Sequence, residues 1–214
     1  IAIPALVGSS QHATIGGAIA NDSVGFLSGS RGDISAWVHQ LEVVLANGDI
    51  LQTGRISKRE LNKKKGLQTF EGEIYRSLDN LIEDSQEVIN GKLLSDIRDN
   101  VGYSSITKVK HKDGSFDITP LIVGSQGTLG IISEMIMKSE FVSSHTAVAV
   151  IAFNSSELAR DALDGLRKLE PAFLEYYDGA LFEAAISEGK VYDFYKTASS
   201  KGGVSTVVIL GFDD

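Results

Sequence analysis

The amino-acid sequence predicts an α+β protein in which a mainly antiparallel sheet carries flanking helices. A β-hairpin signature supports the antiparallel sheet, because Leu41, Val43 and Leu45 alternate with polar residues and lead into the turn dipeptide Asn47-Gly48. Beyond residue 144 the patterns alternate between strand and helix, which is typical of a ferredoxin-like α+β layer.

The first expected elements are a short helix and the hairpin. Thr14 can cap a helix that opens with Ile15-Gly16-Gly17, since its hydroxyl can accept a free helical N–H. The Asn47-Gly48 pair predicts a type I′ turn, which needs positive φ at both residues. The basic stretch at 57–66 favours a solvated loop over a nucleotide or lipid site.

A long amphipathic helix is expected next. Apolar residues recur at helical spacing over 74–89, and Gly91 is a plausible stop for the helix. Residues 112–115 predict a turn. Thr119 followed by Pro120 predicts an N-cap with proline at the first helical position. Residues 131–138 then read as a buried strand.

A change in composition at 140–144 marks the best candidate for a domain boundary. The elements expected beyond it are a strand at 146–153, a helix capped by Asn154 and Glu157, a strand at 172–177, a helix at 179–199 and a strand at 204–212.

Charge and composition argue against several classes of partner. The 214 residues carry a net charge of −8, which disfavours binding to nucleic acid or to an anionic membrane surface. No apolar run approaches the length of a membrane span. The sequence contains no cysteine, so disulfides and thiolate metal sites are impossible within it, and this suits a cytoplasmic location.

Two glycine-rich segments, 14–17 and 124–130, are the candidates for ligand binding. Neither has the lysine and hydroxyl spacing of a P-loop. The second leads into a strand, so it is not a Rossmann fingerprint either. Small residues and exposed backbone N–H groups suit a diphosphate or a flat ring, and the alternative is two tight turns. The histidines are scattered without metal-ligand spacing, and no catalytic residue can be assigned.

Three segments, in this order, resemble the vanillyl-alcohol-oxidase/p-cresol-methylhydroxylase superfamily of FAD enzymes. They are ATIGGAIANDSVG, LEVVLANGDILQTG and LIVGSQGTLGIISEMIMK. The resemblance is closest to the D-lactate, glycolate and D-2-hydroxyglutarate dehydrogenase branch. The stretch from Ile74 to Tyr103 is similar to the long helical insertion of its larger bacterial members.

The resemblance implies where a flavin would bind. The matching positions are Ser9, Ala13, Thr14, Gly16, Gly17, Asn21, Ser23, Gln126, Gly127, Thr128, Gly130, Ile131 and Ile132. The sequence departs from the family pattern at Val7-Gly8, where many relatives have Pro-Asp, and at Gln126, where Glu is usual. No metal site is implied in this chain.

The resemblance also implies a domain organisation. Residues 1–142 would be the second subdomain of a PCMH-type FAD-binding domain, with the helical insertion at about 57–105. Residues 143–214 would begin a ferredoxin-like cap domain that binds substrate. The chain is therefore expected to be a fragment, with the first flavin lobe and the catalytic residues lying outside it.

The implied activity is an FAD-dependent dehydrogenase that oxidises a 2-hydroxy carboxylate by hydride transfer to the flavin. Its partners would be FAD, the hydroxy acid, an unidentified electron acceptor and, as one option, a second copy of the chain. Two alternatives remain open. One is a flavin enzyme of the same superfamily that acts on an alditol, an aromatic alcohol or a sugar nucleotide, and the other is a non-catalytic scaffold module.

Overall fold

The computed structural model describes residues 2–6, 8–92, 102–141 and 143–213. The helices in these ranges are α1 (Ile15–Ala20), α2 (Ser28–Arg31), α3 (Ile34–Trp37), α4 (Lys58–Lys65), α5 (Phe70–Asp84), α6 (Gln86–Lys92), α7 (Thr119–Ile122), α8 (Ser156–Arg167), α9 (Gly179–Ser187) and α10 (Asp193–Ser199), with a 3₁₀ turn at Ser104–Lys108. The strands are β1 (Val38–Val44), β2 (Ile50–Gln52), β3 (Ile131–Met137), β4 (Thr146–Phe153), β5 (Phe173–Asp178) and β6 (Thr206–Asp213).

The chain divides into two compact units. The hairpin unit comprises Ala5–Gly25 and Asp33–Ser139, and the βαβ unit comprises Ile1–Pro4, Phe26–Gly32 and Glu140–Asp214. Each contains one three-stranded sheet within the described residues, in the order β2-β1-β3 and β4-β6-β5 respectively. The strand pairs are antiparallel and helices flank both sheets, so the predicted α+β class is confirmed.

The hairpin forms where it was expected, but its turn differs from the prediction. Gly48 has a φ of +85°, whereas Asn47 does not have positive φ. The Gly48 N–H donates to the Leu45 carbonyl over 2.9 Å, and the Leu45 N–H donates to the Asp49 carbonyl over 2.9 Å. These bonds describe a type I turn followed by a left-handed glycine, so the type I′ prediction is wrong. The Asn47 side chain stabilises this arrangement by accepting from the Asp49 N–H over 3.0 Å.

The basic stretch is a helix, α4, and the loop prediction is wrong. Ser57 and Glu60 form a capping box: the Ser57 hydroxyl accepts from the Glu60 N–H over 3.3 Å, and the Glu60 carboxylate accepts from the Ser57 N–H over 2.8 Å. The three consecutive lysines, Lys63 to Lys65, occupy the last turn. Cations are favourable there because they face the negative end of the helix dipole.

The long amphipathic helix is interrupted. Its first part, α5, ends at Asp84, and α6 begins at Gln86, so Gly91 lies inside a helix and does not end one. The buried face of α5 carries Tyr75, Asp79 and Ile82. The part of the expected insertion at 93–101 lies outside the described residues.

Two further boundaries in the hairpin unit are corrected. Thr119 is the first residue of α7, with Ile118 as its cap, so the predicted N-cap is displaced by one position. Strand β3 lies at the edge of its sheet and is largely exposed. Ile131 is 72% exposed and Ile136 is 55% exposed, so the expectation of a buried strand is wrong. The turn predicted at 112–115 is confirmed by Gly114, whose N–H donates to the His111 carbonyl.

The core of the hairpin unit packs beneath β1. Leu41 and Val43 point into it from that strand, which explains their alternation with half-buried neighbours. Other fully buried apolar side chains are Ile19, Ile34, Tyr75, Val109 and Phe116.

The βαβ unit has the alternation of strands and helices that the sequence predicts. Strands β4 and β5 are both antiparallel to β6, which lies between them, so they are parallel to each other and α8 connects them. Helix α8 is capped by Ser155 rather than by Asn154. The single helix expected at 179–199 is two helices, α9 and α10, because Gly189 takes a φ of +91° after the first one ends. None of the described helices combines the length and apolarity of a membrane span.

Candidate functional site

The two glycine-rich segments lie against each other in the hairpin unit. The Gly124 N–H donates to the Ile19 carbonyl over 3.0 Å, and the Gln126 N–H donates to the Ala20 carbonyl over 2.7 Å. A Cβ atom on Gly16 would lie 3.7 Å from the Ile132 carbonyl oxygen. Residues 13–17 and 124–132 therefore form one continuous surface, which we call the glycine surface.

Helix α1 supplies one half of the glycine surface. The Thr14 hydroxyl accepts from the Gly17 N–H over 3.1 Å, which confirms the predicted cap. A Cβ atom on Gly17 would lie 2.9 Å from the same hydroxyl oxygen, so a side chain there would disturb the cap. Ala18 and Ile19 are buried beneath the helix and fix its position on the core.

The loop before β3 supplies the other half. Gly124 and Gly127 both have a φ of +77°, and Gln126 has a φ of +53°. Left-handed geometry at a residue other than glycine costs on the order of 1 kcal/mol, and at Gln126 the bond to α1 helps to offset it. The Thr128 hydroxyl donates to the Ser125 carbonyl over 2.6 Å and closes the turn.

Gly130 ends this loop at a point of close backbone approach. Its φ is +156°, and a Cβ atom would lie 2.5 Å from Val43 Cγ1 and 2.7 Å from the Val44 carbonyl oxygen. Only glycine allows the loop to lie directly on β1 here, and this contact sets the start of β3.

Most of the predicted cofactor-binding residues are exposed on or beside this surface. The exposed ones are Ser9, Ala13, Thr14, Gly17, Asn21, Gln126, Gly127, Thr128 and Ile131, and Gly16, Gly130 and Ile132 are half-buried. Ser9 lies in the turn before α1, where its carbonyl accepts from the His12 N–H. Ser23 is the exception among them, because its side chain is buried. Val7 lies outside the described residues.

The glycine surface combines open backbone with small and apolar side chains. Its exposed side chains are small or neutral, and Ile131 and Ile15 add apolar area beside the open backbone of the glycines. None of the thirteen predicted residues carries an ionisable side chain. The surface can therefore position a ligand, but it does not itself supply an acid or a base.

Tyr103 is a contact of this surface that the sequence did not single out as a site residue. Its hydroxyl is hydrogen-bonded to the Thr128 hydroxyl, which joins the residue before the 3₁₀ turn to the loop before β3. The signal in the sequence was the position of Tyr103 at the end of the insertion.

Comparison with known proteins relates the chain to an FAD binding family, to dehydrogenases and to an oxidase subunit. Residues 1–54 match a family described as FAD binding domain. D-2-hydroxyglutarate dehydrogenase of Pantoea ananatis is 33% identical over 126 residues, which are 59% of this chain and 12% of that protein. Glycolate oxidase subunit GlcD of Bacillus subtilis is 27% identical over 172 residues, which are 79% of this chain and 26% of that protein. The chain thus spans a minor part of the length of these relatives.

A solved structure shares the fold. Alkyldihydroxyacetonephosphate synthase superposes with a TM-score of 0.55 at 19% identity, over 96% of this chain and 29% of the other. These comparisons confirm the predicted resemblance to FAD-linked oxidoreductases and the fold class.

Proposed function

We propose that this chain forms part of an FAD-dependent dehydrogenase that oxidises a 2-hydroxy carboxylate such as D-lactate, glycolate or D-2-hydroxyglutarate. The observation that carries the proposal is the meeting of two glycine segments, distant in sequence, on one exposed surface. The match of residues 1–54 to an FAD binding domain supports the cofactor. The names of the relatives, which are dehydrogenases and an oxidase of 2-hydroxy acids, support the substrate class.

The residues of the glycine surface would hold the cofactor by close approach. The absence of side chains at Gly16, Gly17 and Gly127 lets a ligand reach the backbone, and Ile131 offers an apolar contact that displaces water from a ring. When bound, the flavin supplies the electron chemistry. The role of this chain is then to orient the cofactor, with Thr14 and Gln126 fixing the shape of the two segments.

The test uses the product of the complete reading frame that encodes this chain. We expect the purified protein to show flavin absorbance, and to reduce a dye with D-lactate, glycolate or D-2-hydroxyglutarate but not with polyols. A protein that neither carries flavin nor binds added FAD would contradict the cofactor. A flavoprotein that reduces the dye only with polyols would contradict the substrate class and leave the cofactor intact.

We further propose that the electron acceptor is a separate molecule, that the protein is cytoplasmic, and that it can form a homo-oligomer. The absence of cysteine in all 214 residues is compatible with a reducing compartment. Gel filtration with light scattering measures the oligomeric state directly.

A further inference from the structure

The βαβ unit contains a cavity of about 530 Å³ on one face of its sheet. Its walls are aromatic and aliphatic: they include Phe26, Phe141, Val148, Phe173, Tyr177 and Ile209. Several of these side chains are unusually exposed for their size, with Val148 at 61% and Phe141 at 87%. Ligand sites have volumes of this order and apolar linings of this kind.

Specific packing forms the floor of the cavity. A Cβ atom on Gly211 would lie 2.1 Å from the Phe173 ring, so this glycine in β6 lets the ring lie flat on the sheet. The Ser30 hydroxyl donates to the Ala172 carbonyl, which holds α2 beside β5. Phe26, just before α2, then packs on Phe173 with ring centroids 6.4 Å apart. The cavity is thus bounded by contacts within one unit.

The charged side chains that line the cavity, among the described residues, are all acidic. Glu140, Glu175 and Asp213 line it, and no lysine, arginine or histidine does so among the described residues. Arg31 binds two of these carboxylates, with Nε 3.5 Å from Glu140 and Nη2 2.9 Å from Asp213. Glu175 lies between Phe173 and Tyr177 on the same face of β5. Burial and then the charge of Glu175 raise the pKa of the Tyr177 phenol.

An anion entering this cavity would lose hydration and meet no cationic side chain in the described wall, and the nearby Arg31 is already paired with Glu140 and Asp213. A carboxylate would also face the negative charge of Glu175, so both effects oppose it. An uncharged apolar group meets neither cost and gains the burial of its surface. A cavity of about 150 Å³ holds benzene, so this larger one has room for a ring with a short chain.

We propose that this cavity binds an uncharged apolar molecule, of the size of one aromatic ring with a short aliphatic chain, and rejects carboxylates. The proposal stands apart from the flavin assignment, because it uses residues of the βαβ unit alone. It also means that the carboxylate of a 2-hydroxy acid does not lie in this cavity.

Two small molecules that share one carbon skeleton and differ in charge test whether the cavity rejects carboxylates. The 214-residue chain, labelled with ¹⁵N, is titrated at pH 7 with 4-phenyl-1-butanol and with 4-phenylbutyrate, and the amide shifts of β4, β5 and β6 are followed. We expect saturable binding of the alcohol and binding of the carboxylate that is at least about tenfold weaker. Equal or tighter binding of the carboxylate, or no saturable shift with the alcohol, would overturn the proposal.

Variants locate the site. Val148→Trp fills the cavity and should weaken binding of the alcohol at least about tenfold, whereas Val191→Trp, at a residue that is also exposed (66%) but is not part of the wall, should leave it unchanged. Glu175→Gln should strengthen binding of 4-phenylbutyrate about threefold or more without changing that of the alcohol. Equal effects of the two tryptophan variants, or no response of the carboxylate to Glu175→Gln, would contradict the assignment.

Discussion

At Gly130 the space for a side chain is already filled by β1. Because φ is positive and a Cβ atom would meet Val43 and the Val44 carbonyl, we expect Gly130→Ala to lower the free energy of unfolding by about 2–4 kcal/mol. Urea denaturation measures this change. Gly91→Ala is the control, since a Cβ atom on that helical glycine would meet none of the described residues, and the variant should gain up to about 1 kcal/mol. Equal stability of the two variants would contradict the close approach of Gly130 to β1.

Tyr75 has room for its whole side chain, but its hydroxyl group forms no hydrogen bond with the described residues. It is fully buried against Phe116, Lys64 lies over its ring, and its hydroxyl has no hydrogen-bond partner among the described residues. Burial raises the pKa of this phenol, so it stays neutral. We expect Tyr75→Phe to keep the ring packing and to change the stability by between zero and a gain of about 1 kcal/mol.

The matched control for that substitution is Tyr195→Phe. The Tyr195 hydroxyl donates to the Glu183 carboxylate over 3.1 Å, so its removal should cost about 0.5–1.5 kcal/mol in the same thermal or urea measurement. If Tyr75→Phe lowered the free energy of unfolding more than Tyr195→Phe does, the Tyr75 hydroxyl would have a hydrogen-bond partner, which would contradict this expectation.

At the scale of elements, the buried carboxylate of Asp79 in α5 joins this helix to α4 and to the segment around Lys110. Asp79 in α5 is bound by Lys65 of α4 and by Lys110, whose Nζ lies 2.7 Å from its carboxylate. Burial alone would raise the pKa of Asp79, but the hydrogen bonds from Lys110 and Lys65 outweigh it, and the pKa lies below its ordinary value. This cluster ties α4 and α5 to the segment that contains Lys110.

The cluster predicts a pH dependence of stability. Since the folded-state pKa of Asp79 lies below the unfolded value near 3.9, its stabilisation is complete above about pH 4 and is lost as the pH falls through the folded pKa. We expect Asp79→Asn to cost about 1–3 kcal/mol at pH 7 and to remove part of the loss of stability in acid. Glu71→Gln, which breaks the more exposed pair with Lys64, should cost about 1 kcal/mol or less.

The elements differ in how far the sequence could predict them. The type of turn at Asn47-Gly48 depends on the hydrogen bonds of Leu45 and Asp49, which the dipeptide does not encode. The helix α4 could have been predicted, because Ser57 and Glu60 have the spacing of a capping box, but the adjacent lysines suggested a solvated loop. The exposure of β3 follows from its place at the sheet edge, which is a property of the tertiary fold.

For the molecule as a whole, the glycine segments could be found from the sequence, but their contact could not. Thr14–Gly17 and the loop from Gly124 are about a hundred residues apart, and only the folded chain shows that Gly124 bonds to Ile19. The apolar cavity had no signal in the sequence, because Phe26, Phe173 and Gly211 come together from three distant positions.

The extent of the match to relatives leads to a prediction about affinity. The chain spans 12% and 26% of two relatives, and the residues that match the FAD binding domain are 1–54. We expect the 214-residue chain alone to bind FAD at least about a hundredfold more weakly than the product of the complete reading frame, which corresponds to about 2.7 kcal/mol. Titration by flavin fluorescence measures both. Purification of the chain with stoichiometric flavin would contradict this expectation.

The position of β6 imposes an order of events during synthesis. This strand is made after β4 and β5, yet it lies between them and supplies the hydrogen bonds of both. As the chain leaves the ribosome, β4 and β5 emerge as two unpaired segments that must wait until residue 213 is free. During that interval the edges of β4 and β5 that later pair with β6 are open to other chains, so we expect this stage of synthesis to be vulnerable to aggregation.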